Sequence, residues 1–465
     1  MKDLTTGSIP RHLATMSLQM GTGLLLQTLY FFVDLYFVSK LGDAAIAGVG
    51  AAGNLTFVVI ALTQILGVGT VSLVSQAVGR KDREAANHVF NQSVSMAVLS
   101  AVVTIVAGYA SAAAYMRTFG ADEATAQQGM AFLHGYLPGM ALQFAIIVMS
   151  SGLRGTGIVK PTMMVQAFTV LANAFFAPIL TVGWLTGHGL GALGAGLATS
   201  FSVALGVVLL TIYFVRLEHY VAFDVKSWRP HFATWRRMLF VGIPSGGEFL
   251  MLSLFIALMY WAIRPFGSEA QAGYAIGARI NQMVFVPALA IAFSLAPIAG
   301  QNFGARRAQR VREALRAGLV YSVAVLSLIM LLTLWKAEAM ARVFTTEPGV
   351  VAVAANYLRY IAWIFPSAGI VMSCSNLFQG IGNTWPSLAS SVLRLLTFGV
   401  PGYWMARQPW FRMEHIFLLG VATSWLQAGV SYTWLRAVMR TRLDFSREAP
   451  RASREPPEES RSPAA

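Results

Sequence analysis

The chain has 465 residues, of which 56% are hydrophobic and only 12% charged, with a mean hydropathy of +0.60. No soluble domain of that length needs such a balance, so a soluble enzyme or binding module is excluded and a polytopic membrane protein is expected. The net charge of +14 would suit nucleic acid, but the positions of the basic residues, given below, exclude that partner.

At about 20 residues per span the length holds about twelve helices. Lipid leaves a chain only helices or a closed barrel, and these apolar runs are continuous rather than alternating, which selects helices. The expected fold class is all-α and polytopic, with spans near 13–40, 45–76, 89–116, 126–152, 161–183, 190–215, 238–263, 270–300, 317–336, 350–378, 387–406 and 414–435. The first ten residues are polar and the first run is long enough to span, so no cleavable signal is expected.

The first span carries Gln27, Tyr30 and Asp34. A carboxylate inside a span is expensive and rarely tolerated without a task. Helical periodicity puts Gln27 and Tyr30, two turns and one turn before Asp34, on its face. The other in-span acid is Glu248 in the seventh span, one turn after Pro244; its alternative role is to cap a helix broken at that proline. For Asp34 the alternative is an ion pair with Arg279, Arg359 or Arg394. The low dielectric of a span disfavours the charged form of a carboxyl group, which lets it load and release a proton. With neighbouring oxygens, such as those of Asn173 and Thr199, it could instead hold sodium. Singly, either neighbour could be an ordinary helix–helix contact. Tyr30, Tyr36, Trp261, Tyr274 and Trp363 could line a cavity for a flat or cationic ligand, or serve as interfacial bulk.

Even-numbered connections carry the basic clusters, among them Arg80, Lys81 and Arg83, then Arg154 and Lys160, then Arg236 and Arg237, then Arg306, Arg307 and Arg310. The positive-inside rule therefore predicts that both termini are cytoplasmic, with anionic lipid as the natural partner of the excess charge. The segment after Asp444 is poor in apolar residues and is expected to be disordered.

One offset, 225 residues, relates the two halves. Leu41-Gly42-Asp43 falls on Phe266-Gly267-Ser268, Gln76 and Gly79 on Gln301 and Gly304, and Arg154-Gly155-Thr156-Gly157 on Gln379-Gly380-Ile381-Gly382. Neither in-span acid has a charged repeat partner: Asp34 falls on Met259 and Glu248 on Gly23. The expected organisation is an N-terminal six-helix lobe over 1–216, an inter-lobe cytoplasmic loop over 217–237, a C-terminal six-helix lobe over 238–440 and a basic tail over 441–465. A substrate site is expected between the pseudo-symmetric lobes. The Gly-x-Gly segments are read as turns, and Gly191 to Gly196 and Leu66 to Gly69 as small-residue packing strips.

These motifs resemble the multidrug and toxic compound extrusion (MATE) family over about residues 7–440. They are Val33-Asp34 with Leu41-Gly42, Gln76-Ala77-Val78-Gly79-Arg80, Leu153-Arg154-Gly155-Thr156-Gly157 with Pro161, Gly242-Ile243-Pro244, Gly277-Ala278-Arg279-Ile280, Gly300-Gln301-Asn302-Phe303-Gly304 and Gln379-Gly380-Ile381-Gly382. The resemblance implies antiport of small organic compounds against protons or sodium by a monomer in the inner membrane, without a cofactor. It matches Asp34, Asn173 and Thr199, with Gln27 and Tyr30, to the family's N-lobe cation pocket. Three departures stand out. Ala177 replaces a frequent aspartate before Pro178, Gln19 stands at the repeat partner of Pro244, and span 10 carries no acid. They favour proton coupling through Asp34, nearest the DinF-like and NorM-like branches. The rival readings are sodium-coupled efflux, a lipid-linked precursor flippase, a channel, and a membrane enzyme using His219 and Asp224. No Gly-x-Ser-x-Gly, His-Glu-x-x-His or Cys/His cluster supports the last.

Overall fold

The computed structural model describes residues 1–119, 122–185, 187–218 and 220–445. Its α-helices are α1 (Ile9–Ser39), α2 (Asp43–Gly79), α3 (Arg83–Phe119), α4 (Glu123–Gly155), α5 (Lys160–Ala177), α6 (Gly191–Arg216), α7 (Phe232–Ile263), α8 (Gly267–Val284), α9 (Val286–Gly304), α10 (Ala308–Arg342), α11 (Pro348–Ile361), α12 (Phe365–Gly380), α13 (Trp385–Met405) and α14 (Met413–Arg442). Among the described residues ten helical stretches are long and apolar enough to cross a membrane. The 31 residues of α1 reach about 46 Å, more than the ~30 Å hydrocarbon core. Many exposed side chains are large and apolar, including Val98, Val102 and Val106 one turn apart on α3. In lipid such a face needs no protein partner.

The expected spans are present, but two are broken. The eighth divides into α8 and α9 at Phe285, just before Pro287 removes an N–H, and the tenth divides into α11 and α12 through a short 3-10 turn at Ala362–Ile364, just before Pro366. Proline interrupts the backbone ladder in each case. α7, in contrast, continues through Pro244.

Equivalent turns recur at the repeat offset with equivalent backbone angles. Positive φ values occur at Gly42 (95°) and Gly267 (90°), at Lys81 (60°) and Arg306 (55°), and at Gly157 (80°) and Gly382 (75°). The Gly-x-Gly segments therefore are turns, as expected, and not anion loops. The Gly191 to Gly196 strip lets backbones touch: a Cβ at Gly194 would stand 2.0 Å from the Leu180 carbonyl oxygen, and one at Gly196 2.3 Å from that of Phe132.

The inter-lobe segment is shorter and better held than a polar loop over 217–237 suggests. α7 begins at Phe232, with the His231 side chain accepting from Thr234 N–H. Three amides on α3 grip the segment. Asn87 accepts from Ala222 N–H, Asn91 bonds both Ala222 and Asp224, and Gln92 donates to the Ser227 and Arg229 carbonyls while accepting from His231 N–H. His219 and the tail beyond Phe445 lie outside the described residues, so the His219–Asp224 pairing and the expected disorder do too.

At the end bearing the basic clusters the two halves close on each other. A Cβ on Gly79 would stand 2.0 Å from the Gln301 carbonyl oxygen, and one on Gly304 2.1 Å from that of Gln76. The N-terminal segment straps the same end. Lys2 N–H donates to Thr156, Leu4 N–H to Gln301 Oε1, and the Leu4 carbonyl accepts from Asn302 and Arg310.

Candidate functional site: the Asp34 pocket

Asp34 lies on α1 where that helix packs beside α5 and α6. Thr199 Oγ1 reaches both carboxylate oxygens, at 3.3 and 3.4 Å, and its own helix carbonyl at Ala195, at 3.1 Å. A hydroxyl has one proton to donate, so these acceptors compete for it. The contacts to Asp34 are longer than the ~2.5–2.7 Å of a tight O–H···O⁻ bond. Thr199 is seated there because Gly194, Ala195, Gly196 and Ala198 let α6 approach α4 and the end of α5.

Asn173 on α5 is fully buried and lies against the same carboxylate, yet neither its side-chain nitrogen nor its oxygen makes a hydrogen bond. Five residues on, Pro178 lacks the N–H that would continue the ladder, and the chain proceeds as a π-turn over Pro178–Val182. Tyr30 OH points to the Thr199 carbonyl at 3.5 Å. Of the five residues expected at this site, four converge: Tyr30, Asp34, Asn173 and Thr199. Gln27 is exposed further along α1 and makes no hydrogen bond among those described.

Tyr136 on α4 was not anticipated. It is buried, lies close enough to feel the Asp34 charge, and interacts with Thr56 and with Gln143, whose Nε2 donates to its hydroxyl at 3.2 Å. No local signal marks it: a tyrosine in a span is ordinary until α4, packed on α6, carries it toward Asp34.

Asp34 forms no ion pair with Arg279, Arg359 or Arg394 among the described residues. Arg394 instead stacks over the Phe255 ring at 4.4 Å. Glu248 does not cap a broken helix; its carboxylate accepts the Ser375 hydroxyl from α12 at 3.1 and 2.9 Å. Of the aromatics expected to line a cavity, Tyr274 is packed edge-to-face between Tyr260 and Tyr357, while Tyr36, Trp261 and Trp363 are exposed. Among the described residues no three His, Cys, Asp or Glu side chains form a metal cluster.

A bundle of broken and continuous apolar helices with one acid set in a polar niche defines a multi-pass α-helical membrane transporter. The family model MatE matches the chain twice, over residues 20–179 and 244–405. The chain belongs to this family, the multidrug and toxic compound extrusion transporters. It is similar to the FAD transporter of Shewanella oneidensis, 24% identical with 86% of this chain and 89% of that one covered. It is also similar to the "Probable multidrug resistance protein NorM" of Thermotoga maritima, 24% identical with 86% and 85% covered. Among solved structures, the outward-facing conformation of a multidrug resistance MATE family transporter of the MOP superfamily superposes with a TM-score of 0.88, 23% identity and 95% and 98% coverage.

Proposed function

We propose that the chain is a secondary active antiporter that exports organic compounds, lipophilic or cationic in character, in exchange for protons, with Asp34 as the protonation site. The observation that carries this reading is the arrangement at Thr199. When Asp34 is ionised, the Thr199 hydroxyl donates to it. When Asp34 is protonated, its own O–H donates to Thr199 Oγ1, whose proton then turns to the Ala195 carbonyl. One rotor thus serves both states of the carboxyl without leaving a buried donor unmet. Among the described residues no cation pairs with Asp34, which leaves its charge to be neutralised by a proton or a ligand.

Sodium is the second reading, favoured by the unbonded Asn173 Oδ1 beside two carboxylate oxygens and a hydroxyl. One formal charge in the donor set, with Ala177 in place of a further acid, counts against it. In this reading the closed, basic end faces the cytoplasm, both termini lie there in the inner membrane, and the site opens outward. The halves 1–216 and 238–440 rock about the interface between them. Glu248 braces α7 to α12 through Ser375.

The test is efflux of a fluorescent lipophilic cation from energised cells in sodium-free buffer, wild type beside Asp34→Asn, with and without a protonophore. Extrusion that the protonophore stops and the variant lacks, at equal membrane expression, supports the reading. A variant that pumps like wild type overturns the role of Asp34, and pumping that requires sodium overturns the ion.

A further inference from the structure

Near the basic end of the molecule, α10 and α14 leave a groove of about 620 Å³ between them. That volume is within the ~300–1,000 Å³ of small-ligand sites. Its rim carries Arg312 and Arg316 from the first turns of α10 and Arg436 and Arg440 from the last turns of α14. Its floor is apolar and includes Leu315 and Met439, both buried.

The arginines are spaced one turn apart on each helix, and like charges at that spacing oppose helix formation. None of the four is paired with a carboxylate among the described residues. A solvated positive face requires neither a groove nor an apolar floor. Here four guanidinium groups without a carboxylate partner among the described residues frame an apolar bed, Arg436 lying over the Tyr432 ring of the lining at 5.8 Å.

We infer that this groove binds an anionic glycerophospholipid. The guanidinium forks take phosphate oxygens in bidentate fashion, and the Leu315–Met439 floor takes the first part of the acyl chains. A zwitterionic lipid brings its own cation into a rim that is already positive, so charge complementarity selects a lipid with net negative charge.

The test uses the purified full chain in detergent, titrated with dioleoylphosphatidylglycerol, dioleoylphosphatidylcholine or glycerol 3-phosphate. Bound lipid is counted by native mass spectrometry and the unfolding midpoint is followed. Wild type is expected to bind the phosphatidylglycerol at least about tenfold more tightly than the phosphatidylcholine, and glycerol 3-phosphate is not expected to compete. The doubles Arg312→Gln/Arg316→Gln and Arg436→Gln/Arg440→Gln should each weaken phosphatidylglycerol binding by about tenfold or more. Arg236→Gln/Arg237→Gln, in a basic cluster elsewhere, should not. Equal binding of the two lipids, competition by glycerol 3-phosphate as strong as by lipid, or unchanged binding in both groove doubles would each overturn the assignment. The wild-type comparison decides even if a double variant folds poorly.

Discussion

Gln76 and Gln301 make the same bond in opposite directions across the closed end. Gln76 Nε2 donates to the Gly380 carbonyl at 2.9 Å, and Gln301 Nε2 donates to the Gly155 carbonyl at 3.0 Å. The two glutamines are repeat-related, and so are the two glycines that receive them. Each half therefore holds the last turn of a helix in the other, and pseudo-symmetry makes one bond imply its twin.

Gln301 also accepts Leu4 N–H at 2.9 Å, whereas the second contact of Gln76, to Ser72 Oγ, is weak at 3.4 Å. Gln301→Ala should thus loosen the closed end more than Gln76→Ala. Each buried partner left unmet costs about 1–3 kcal/mol. The check is the thiol-labelling rate of a cysteine placed at Ser72 in a Cys374→Ala background. The expected order is the Gln301 variant fastest, then the Gln76 variant, then the parent.

Gly79→Ala and Gly304→Ala should each prevent full closure of that end. Their new methyl groups would meet backbone carbonyl oxygens at 2.0 and 2.1 Å, contacts that rotamer changes cannot relieve. Faster labelling at the same cysteine and reduced efflux are expected for both. Gly53→Ala on α2, where nothing lies within 4 Å, should behave as the parent.

Thr199→Ser keeps the hydroxyl and should keep proton-driven efflux. Thr199→Ala removes the hydroxyl that reaches both carboxylate oxygens of Asp34 and should reduce efflux about tenfold or more, the scale of a 1.4 kcal/mol loss. Dye efflux at matched expression distinguishes them, and equal activity of the alanine variant would remove Thr199 from the site.

Asp3 sits in the N-terminal strap outside the spans. Partial burial raises its proton affinity, but the Thr5 hydroxyl and N–H and the charges of Lys81 and Arg307 outweigh that and hold its carboxyl below the usual range. A depressed folded value contributes stability above the unfolded value of about 3.9, and that contribution is lost as pH falls through the folded one. The protection factors of the amides of residues 2–6, with the intrinsic pH dependence of exchange divided out, should therefore be high at neutral pH and fall on acidification below about pH 4. Asp3→Asn should flatten that dependence.

Glu248→Gln retains an oxygen that can accept the Ser375 hydroxyl, so it should fold and still extrude dye. Glu248→Leu leaves Ser375 without that partner and should lower the unfolding midpoint. A glutamine variant that folds normally yet loses proton dependence would instead make Glu248 a coupling group.

The helical membrane class, the number of spans, the internal repeat and the presence of a carboxyl group at Asp34 inside a span were legible in the sequence alone. Each is a local or periodic property: the length of an apolar run, a fixed offset between glycines, a charge where solvation is costly. The tertiary structure alone decided that Thr199 and Asn173 meet Asp34 while Gln27 does not. It also recruited Tyr136, joined Glu248 to Ser375, and linked Gln76 to Gly380 and Gln301 to Gly155. The face a helix presents is written in its own periodicity. Which neighbour's hydroxyl or carbonyl lies opposite depends on where small residues let two backbones approach, and that is a property of the packed pair rather than of either strand of sequence.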